Sequence, residues 1–235
     1  YHANAFYDLA GECYALAIKR KSTEWIWNYY LGYLDRELSE SQAALENFNA
    51  VTKKNPGMDM AWFYAGEEYQ NSGNNQQAEL AFKKLVASGK NQPAGNTGTR
   101  YDYFPISAYA GFRLARLYLD SGRPDDAAQL LRETIRQYRA FGPAYRLMGN
   151  YYQAKGDPEQ GNRYAIRAND LPVYAPPVDT LVDKLVLLSR SELYLLKKID
   201  EAEKSVYPEW ALKLVTHAMR YIPEDKYLIS KALKL

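Results

Sequence analysis

The chain has 235 residues, nearly half of them apolar and a quarter charged, the composition of a protein that folds in water. Its 30 basic and 28 acidic residues leave a formal charge of only +2, without the basic excess expected of a nucleic-acid or anionic-membrane binder. No apolar run approaches the roughly 20 residues that a membrane-spanning helix needs, and Cys13 is the single cysteine, so no disulfide closes within the chain.

The elements follow a fixed arithmetic. Residues 3–20 read as a helix carrying Ala10 and Tyr14, and a step of 34 leads from these to Ala44 and Phe48. Gly32 and Gly66 are separated by the same 34 (66 − 32), as are Ala115 and Gly149 (149 − 115). Further columns keep register. Tyr69, Tyr118 and Tyr152 follow the small residue by three positions. Ser39, Gly73, Gly122 and Gly156 stand at the expected turn. Ala44, Ala78, Ala127 and Gly161 supply a second small site, and Phe48, Phe82, Leu131 and Ala165 a second packing site. Small residues let paired helices approach closely while aromatics fill the space beside them. Glycine suits the turn that ends a helix, and Pro124 and Pro158 suit the first turn of the next.

Two stretches interrupt the period. From Gly66 to Ala115 the step is 49, an excess of 15 that places an insertion at 88–107. Its Gly95–Arg100 portion lacks the lysine and spacing of a phosphate-binding loop and reads as surface loop, with Tyr101, Tyr103 and Phe104 available to fold back. The second interruption is Leu171–Pro177 (LPVYAPP), followed by one long helix bearing Leu181, Leu185, Leu188, Leu195, Leu196 and Ile199.

The pattern resembles the tetratricopeptide repeat, a 34-residue unit of two antiparallel helices. The resemblance implies an all-α, right-handed superhelical solenoid: a partial repeat at 1–24, repeats at 25–58, 59–87, 108–141 and 142–171, an atypical helical pair at 172–225 and the start of a further repeat at 226–235. Uncapped ends suggest a segment of a larger bacterial-type protein of this kind, whose terminal helices stack on neighbours in a higher assembly.

In this family the first helix of each unit lines a concave face that binds peptides. Carried over by spacing, the partner-binding residues here are Tyr29, Tyr33, Phe63, Glu67, Tyr109, Phe112, Arg116, Arg146 and Asn150. The same aromatics equally suit packing between helices. Only Arg146 and Asn150 resemble the basic and amide pair that clamps acidic chaperone tails, so that variant is not expected.

Catalysis is not indicated, and no cofactor or metal is expected. His2 and His217 lack neighbouring ligands at metal spacing, and one cysteine excludes haem attachment through Cys-x-x-Cys-His within these residues. Asp125-Asp126 and Glu67-Glu68 read as helix-start and solvated-face charges. The expected role is a non-enzymatic interaction scaffold for a protein or peptide. The alternatives are a repeat segment of a larger enzyme, an extracytoplasmic cytochrome-type protein, or a structural subunit of an assembly. An extracytoplasmic compartment is favoured over the cytoplasm.

Overall fold

The computed structural model describes residues 1–89, 104–204 and 208–233; residues 90–103 of the insertion lie outside them, including the Gly95–Arg100 loop, Tyr101 and Tyr103. The described residues form thirteen α-helices and no strand. They divide into two compact units, one of residues 23–177 and one combining 1–22 with 178–235.

The larger unit contains eight helices: α2 (Trp25–Glu37), α3 (Ser41–Lys54), α4 (Asp59–Asn71), α5 (Asn75–Gly89), α6 (Ile106–Asp120), α7 (Pro124–Gln137), α8 (Gly142–Ala154) and α9 (Pro158–Asn169). Each packs on the next, and α5 packs on α6 across the insertion. Sequence neighbours are therefore spatial neighbours throughout, as the repeat period demands.

The four expected turns all adopt left-handed backbone, with φ of 64° at Ser39, 77° at Gly73, 71° at Gly122 and 81° at Gly156. Three are glycine, which enters this region without steric cost; Ser39 holds it with a side chain. Pro124 and Pro158 begin α7 and α9, and the Asp157 carboxylate accepts from the Gln160 backbone amide at 3.1 Å. Within each pair the small column sits at the crossing. A Cβ on Gly66 would come within 2.7 Å of the Phe82 ring, which is fully buried, so the α4–α5 crossing has no room for a side chain there.

Between α2 and α3 a chain of polar groups runs from exposed Lys54 inward to the buried Asn28 and Asp35. Lys54 Nζ donates to Asn28 Oδ1 at 2.7 Å, Asn28 Nδ2 to Asn47 Oδ1 at 2.9 Å, and Asn47 Nδ2 to Asp35 Oδ2 at 2.9 Å. Burial pushes the Asp35 carboxyl up to about 6, against the lowering effect of the Asn47 hydrogen bond and with a further push from Glu40.

The smaller unit contains a 3₁₀ turn (His2–Asn4), α1 (Tyr7–Arg20), α10 (Thr180–Val186), α11 (Glu192–Lys204), α12 (Pro208–Ala218) and α13 (Lys226–Ala232). The opening helix is thus shorter than 3–20. The single long helix expected after Pro177 is instead two, α10 and α11. Between them the Arg190 amide donates to Asn4 Oδ1 at 2.9 Å and the Ser191 amide to Ser189 Oγ at 3.1 Å. Serine side chains here compete with helical hydrogen bonding, and Leu188 is left 70% exposed rather than buried. His217 bridges these elements: its Nε2 lies 2.9 Å from the Ser189 carbonyl oxygen and its ring packs on Tyr221.

Because the Asp35 carboxyl is raised in the fold, its contribution to stability is complete below the ordinary carboxylate value of 3.8 and is lost as pH rises through about 6. Asp35→Asn keeps an oxygen for Asn47 and removes the charge. The variant is expected to be more stable than the parent by about 2 kcal/mol at pH 7 and indistinguishable at about pH 3. Urea denaturation at the two pH values checks this; a variant weaker at pH 7 contradicts it.

Candidate functional site: the face of the first helices

The first helices of the larger unit are α2, α4, α6 and α8, and the expected site residues lie on them in three distinct situations. Tyr29, Phe63 and Tyr109 are 0%, 1% and 2% exposed, so they are core and not contact surface. Packing within and between repeats takes them. Tyr29 meets Phe48 at 5.9 Å and Tyr64 at 6.3 Å, Phe63 meets Phe82 at 6.0 Å and Tyr109 at 6.5 Å, and Tyr109 meets Phe141 at 5.2 Å. These edge and tilted contacts bind successive units through ring quadrupoles as well as buried area.

Glu67 and Arg146 are committed to internal partners. Glu67 is 5% exposed and Glu68 3%, so this pair is not a solvated face. Arg36 Nη2 of α2 reaches Glu67 Oε2 at 2.7 Å, and Arg113 of α6 donates to the other carboxylate oxygen. Arg36 also lies 3.6 Å from Glu68. One carboxylate therefore ties three consecutive first helices together. The guanidinium of Arg36 sits 4.5 Å over the Tyr64 ring, which supports the cation where Nη1 makes no hydrogen bond. Burial draws the Arg36 pKa down, but Glu67, Tyr64 and Glu68 outweigh it and hold it above its ordinary value.

Arg146 spends its fork on backbone carbonyls, donating to Pro172 at 2.6 Å, Ala168 at 2.7 Å and Leu171 at 2.9 Å. It caps the end of α9 and fixes the start of the non-helical stretch beyond, so it is not free to orient an acidic ligand group. Gly142 completes this seat: a Cβ there would stand 2.1 Å from the Pro172 oxygen.

Tyr33, Phe112, Arg116 and Asn150 remain accessible; Arg116 and Asn150 are exposed and the two rings half-buried. Tyr33 packs on Tyr64 at 6.2 Å, and the Arg116 guanidinium lies 6.0 Å from the Phe112 ring. Phe104, at the end of the insertion, is buried against Phe141 at 5.0 Å.

Spacing alone did not disclose Tyr174. It lies in the non-helical stretch after α9, yet its ring meets Phe112 at 5.4 Å and Tyr109 at 6.1 Å, and Arg113 stands 5.7 Å from it. Burial raises its phenol above the ordinary value, with Arg113 opposing and Glu67 adding to the shift. The result is one unbroken run of contacts: Tyr33, Tyr64, Arg36, Glu67, Arg113, Tyr174, Phe112. Arg36 and Arg113 occupy different columns of the repeat, so period arithmetic passes over them.

Among the described residues no group of three His, Cys, Asp or Glu side chains is placed to hold a metal ion, and no helix is long and apolar enough to cross a membrane. Asp125 and Asp126 do sit in the first turn of α7, where carboxylates favour the helix dipole.

A helical-repeat solenoid whose first helices present aromatic and paired charged groups is the class that this geometry defines. The profile of the tetratricopeptide repeat matches residues 29–96, 65–144 and 112–157, together more than half of the chain, and the chain belongs to that family. Solved structures agree on the fold. A crystal structure of MamA superposes with a TM-score of 0.57 at 21% identity, covering 70% of this chain and 87% of that one. MamA from Desulfovibrio magneticus RS-1 gives 0.58 at 16%, covering 71% and 86%. YrrB, described as a TPR protein with an unusual peptide-binding site, gives 0.51 at 16%, covering 96% and 100%. No curated protein sequence matches the chain.

Glu67→Gln removes the anion shared by two partly buried guanidiniums and leaves them facing each other. The loss is expected to be about 2–4 kcal/mol, against less than about 1 kcal/mol for Glu159→Gln, whose partner Arg163 is exposed. Chemical denaturation of both variants checks the difference; equal losses would show that Glu67 does not tie the first helices.

Proposed function

We infer that the chain is a non-catalytic interaction scaffold, and that the face of α2, α4, α6 and α8 takes an extended segment of a protein partner. The supporting observation is the continuous run from Tyr33 to Phe112, in which half-buried rings flank charges already paired with one another. Such a surface offers rigid apolar area at low conformational cost, and its fixed polar groups need little reorganisation when a ligand arrives. The MamA and YrrB likenesses carry the fold alone. The peptide-binding site named for YrrB is that protein's, and it makes an extended segment a reasonable ligand class to test here.

Within this reading the roles differ from a uniform aromatic stripe. Tyr33 and Phe112 are the anchors that a ligand can reach. Arg116 and Asn150 are exposed polar groups at the margin, available for backbone or carboxylate contacts on the ligand. Tyr29, Phe63 and Tyr109 belong to the buried ring contacts of the core and not to the contact surface.

Tyr33→Ala combined with Phe112→Ala is expected to lower partner capture at least tenfold, since truncated aromatic anchors in desolvated pockets typically cost about 2 kcal/mol or more. Helical content by circular dichroism should be unchanged. Quantitative pull-down with the full chain, beside Ile166→Ala on the exposed side of α9, checks this. Equal capture by all three proteins would remove the first-helix face from the account.

A further inference from the structure

The stretch that breaks the repeat period occupies the face that the period builds. Residues 171–177 are not helical, yet three features fix them against α6 and α8. Arg146 holds the Leu171 and Pro172 carbonyls at 2.9 and 2.6 Å. Gly142 leaves a space that any side chain would close, since its Cβ would lie 2.1 Å from the Pro172 oxygen. Two residues on, Tyr174 lays its ring on Phe112 at 5.4 Å and against Tyr109 at 6.1 Å, beside the Arg113 guanidinium. The contacts are those of a bound peptide: backbone carbonyls taken by a fixed donor, and one aromatic side chain taken by a hollow.

Tyr174 nevertheless remains 36% exposed and Val173 58%, so this is a surface docking and not a core element. Phe112, the half-buried anchor on α6, is the ring it covers. Proline at positions 172, 176 and 177 keeps the stretch extended and restricts its unbound conformations, which lowers the entropic cost of docking.

We propose that Leu171–Pro177 is a built-in occupant of the first-helix face, and that a partner binds there by displacing it with an extended segment of like chemistry: a tyrosine or phenylalanine for the Phe112–Tyr109–Arg113 hollow, with proline close by. The proposal rests on the interaction-scaffold reading. A tethered occupant competes at high effective concentration, so apparent affinity for a free ligand falls in proportion to the fraction of open sites. The strap therefore sets the threshold of partner capture and selects against ligands without an aromatic residue.

The test uses the full chain and a fluorescein-labelled peptide of sequence Leu-Pro-Val-Tyr-Ala-Pro-Pro, read by fluorescence anisotropy. Tyr174→Ala is expected to bind it at least tenfold more tightly than the parent protein. Tyr174→Phe, which keeps the ring, should behave as the parent. A peptide with alanine in place of tyrosine should bind neither. In the parent, saturating peptide should speed amide exchange across 171–177, a readout that requires no variant. Equal affinity of parent and Tyr174→Ala, with loss of binding in Phe112→Ala, would overturn the strap while leaving the face intact as a binding surface. No binding by folded Tyr174→Ala would overturn the strap and weigh against the scaffold reading of this face as well.

Discussion

The larger unit depends on how closely the two helices of each repeat approach. At Gly66 the fully buried Phe82 ring stands where a Cβ would be, and Gly32, Ala115 and Gly149 hold the equivalent position in the other three pairs. That contact fixes the pair, the pair fixes which way its first helix turns, and the turn decides which residues reach the next unit. The aromatic contacts between units, Tyr29 on Tyr64 and Phe63 on Tyr109, are possible only because the crossings beneath them are tight. The left-handed residues at Ser39, Gly73, Gly122 and Gly156 serve the same end by bringing the second helix straight back along the first.

Above this layer lies a second one built from charge. Glu67 accepts from Arg36 and Arg113 and so links α2, α4 and α6 on their shared face. An ion pair in that setting adds little net stability, because both partners give up hydration to make it, yet removing one partner strands the others. Its consequence for the surface is direct. The paired guanidiniums lie over Tyr64 and beside Tyr174, and the run ends in the half-buried rings of Tyr33 and Phe112, the latter under Tyr174. The face is thus neither a plain apolar groove nor a charged clamp; it is an aromatic surface with its charges already neutralised.

Much of the fold was legible because the period of 34 makes one residue type recur for one physical reason. The turns, the helix-opening prolines and the small crossing residues each answer a local demand that any repeat must meet. The candidate site was legible only in part. Tyr29, Phe63 and Tyr109 read as surface because spacing tells which helix face a residue occupies, not how far the next unit covers it. Arg146 read as a ligand-facing cation because its true partners, the carbonyls of 168, 171 and 172, belong to a stretch without periodicity. Tyr174 was missed for the same cause. The break between α10 and α11 was hidden by leucines that continue a helical pattern through Ser189 and Ser191, where Ser191 Oγ accepts the Tyr194 amide and opens a new helix instead.

The central claim is that the first-helix face meets the partner. A photo-crosslinking amino acid placed at exposed Arg116 on α6, and separately at exposed Ile166 on the second helix α9, tests it most directly in the full chain. The account predicts partner adducts from position 116 and none from position 166. Adducts from 166 alone would place the working surface on the second helices and contradict it.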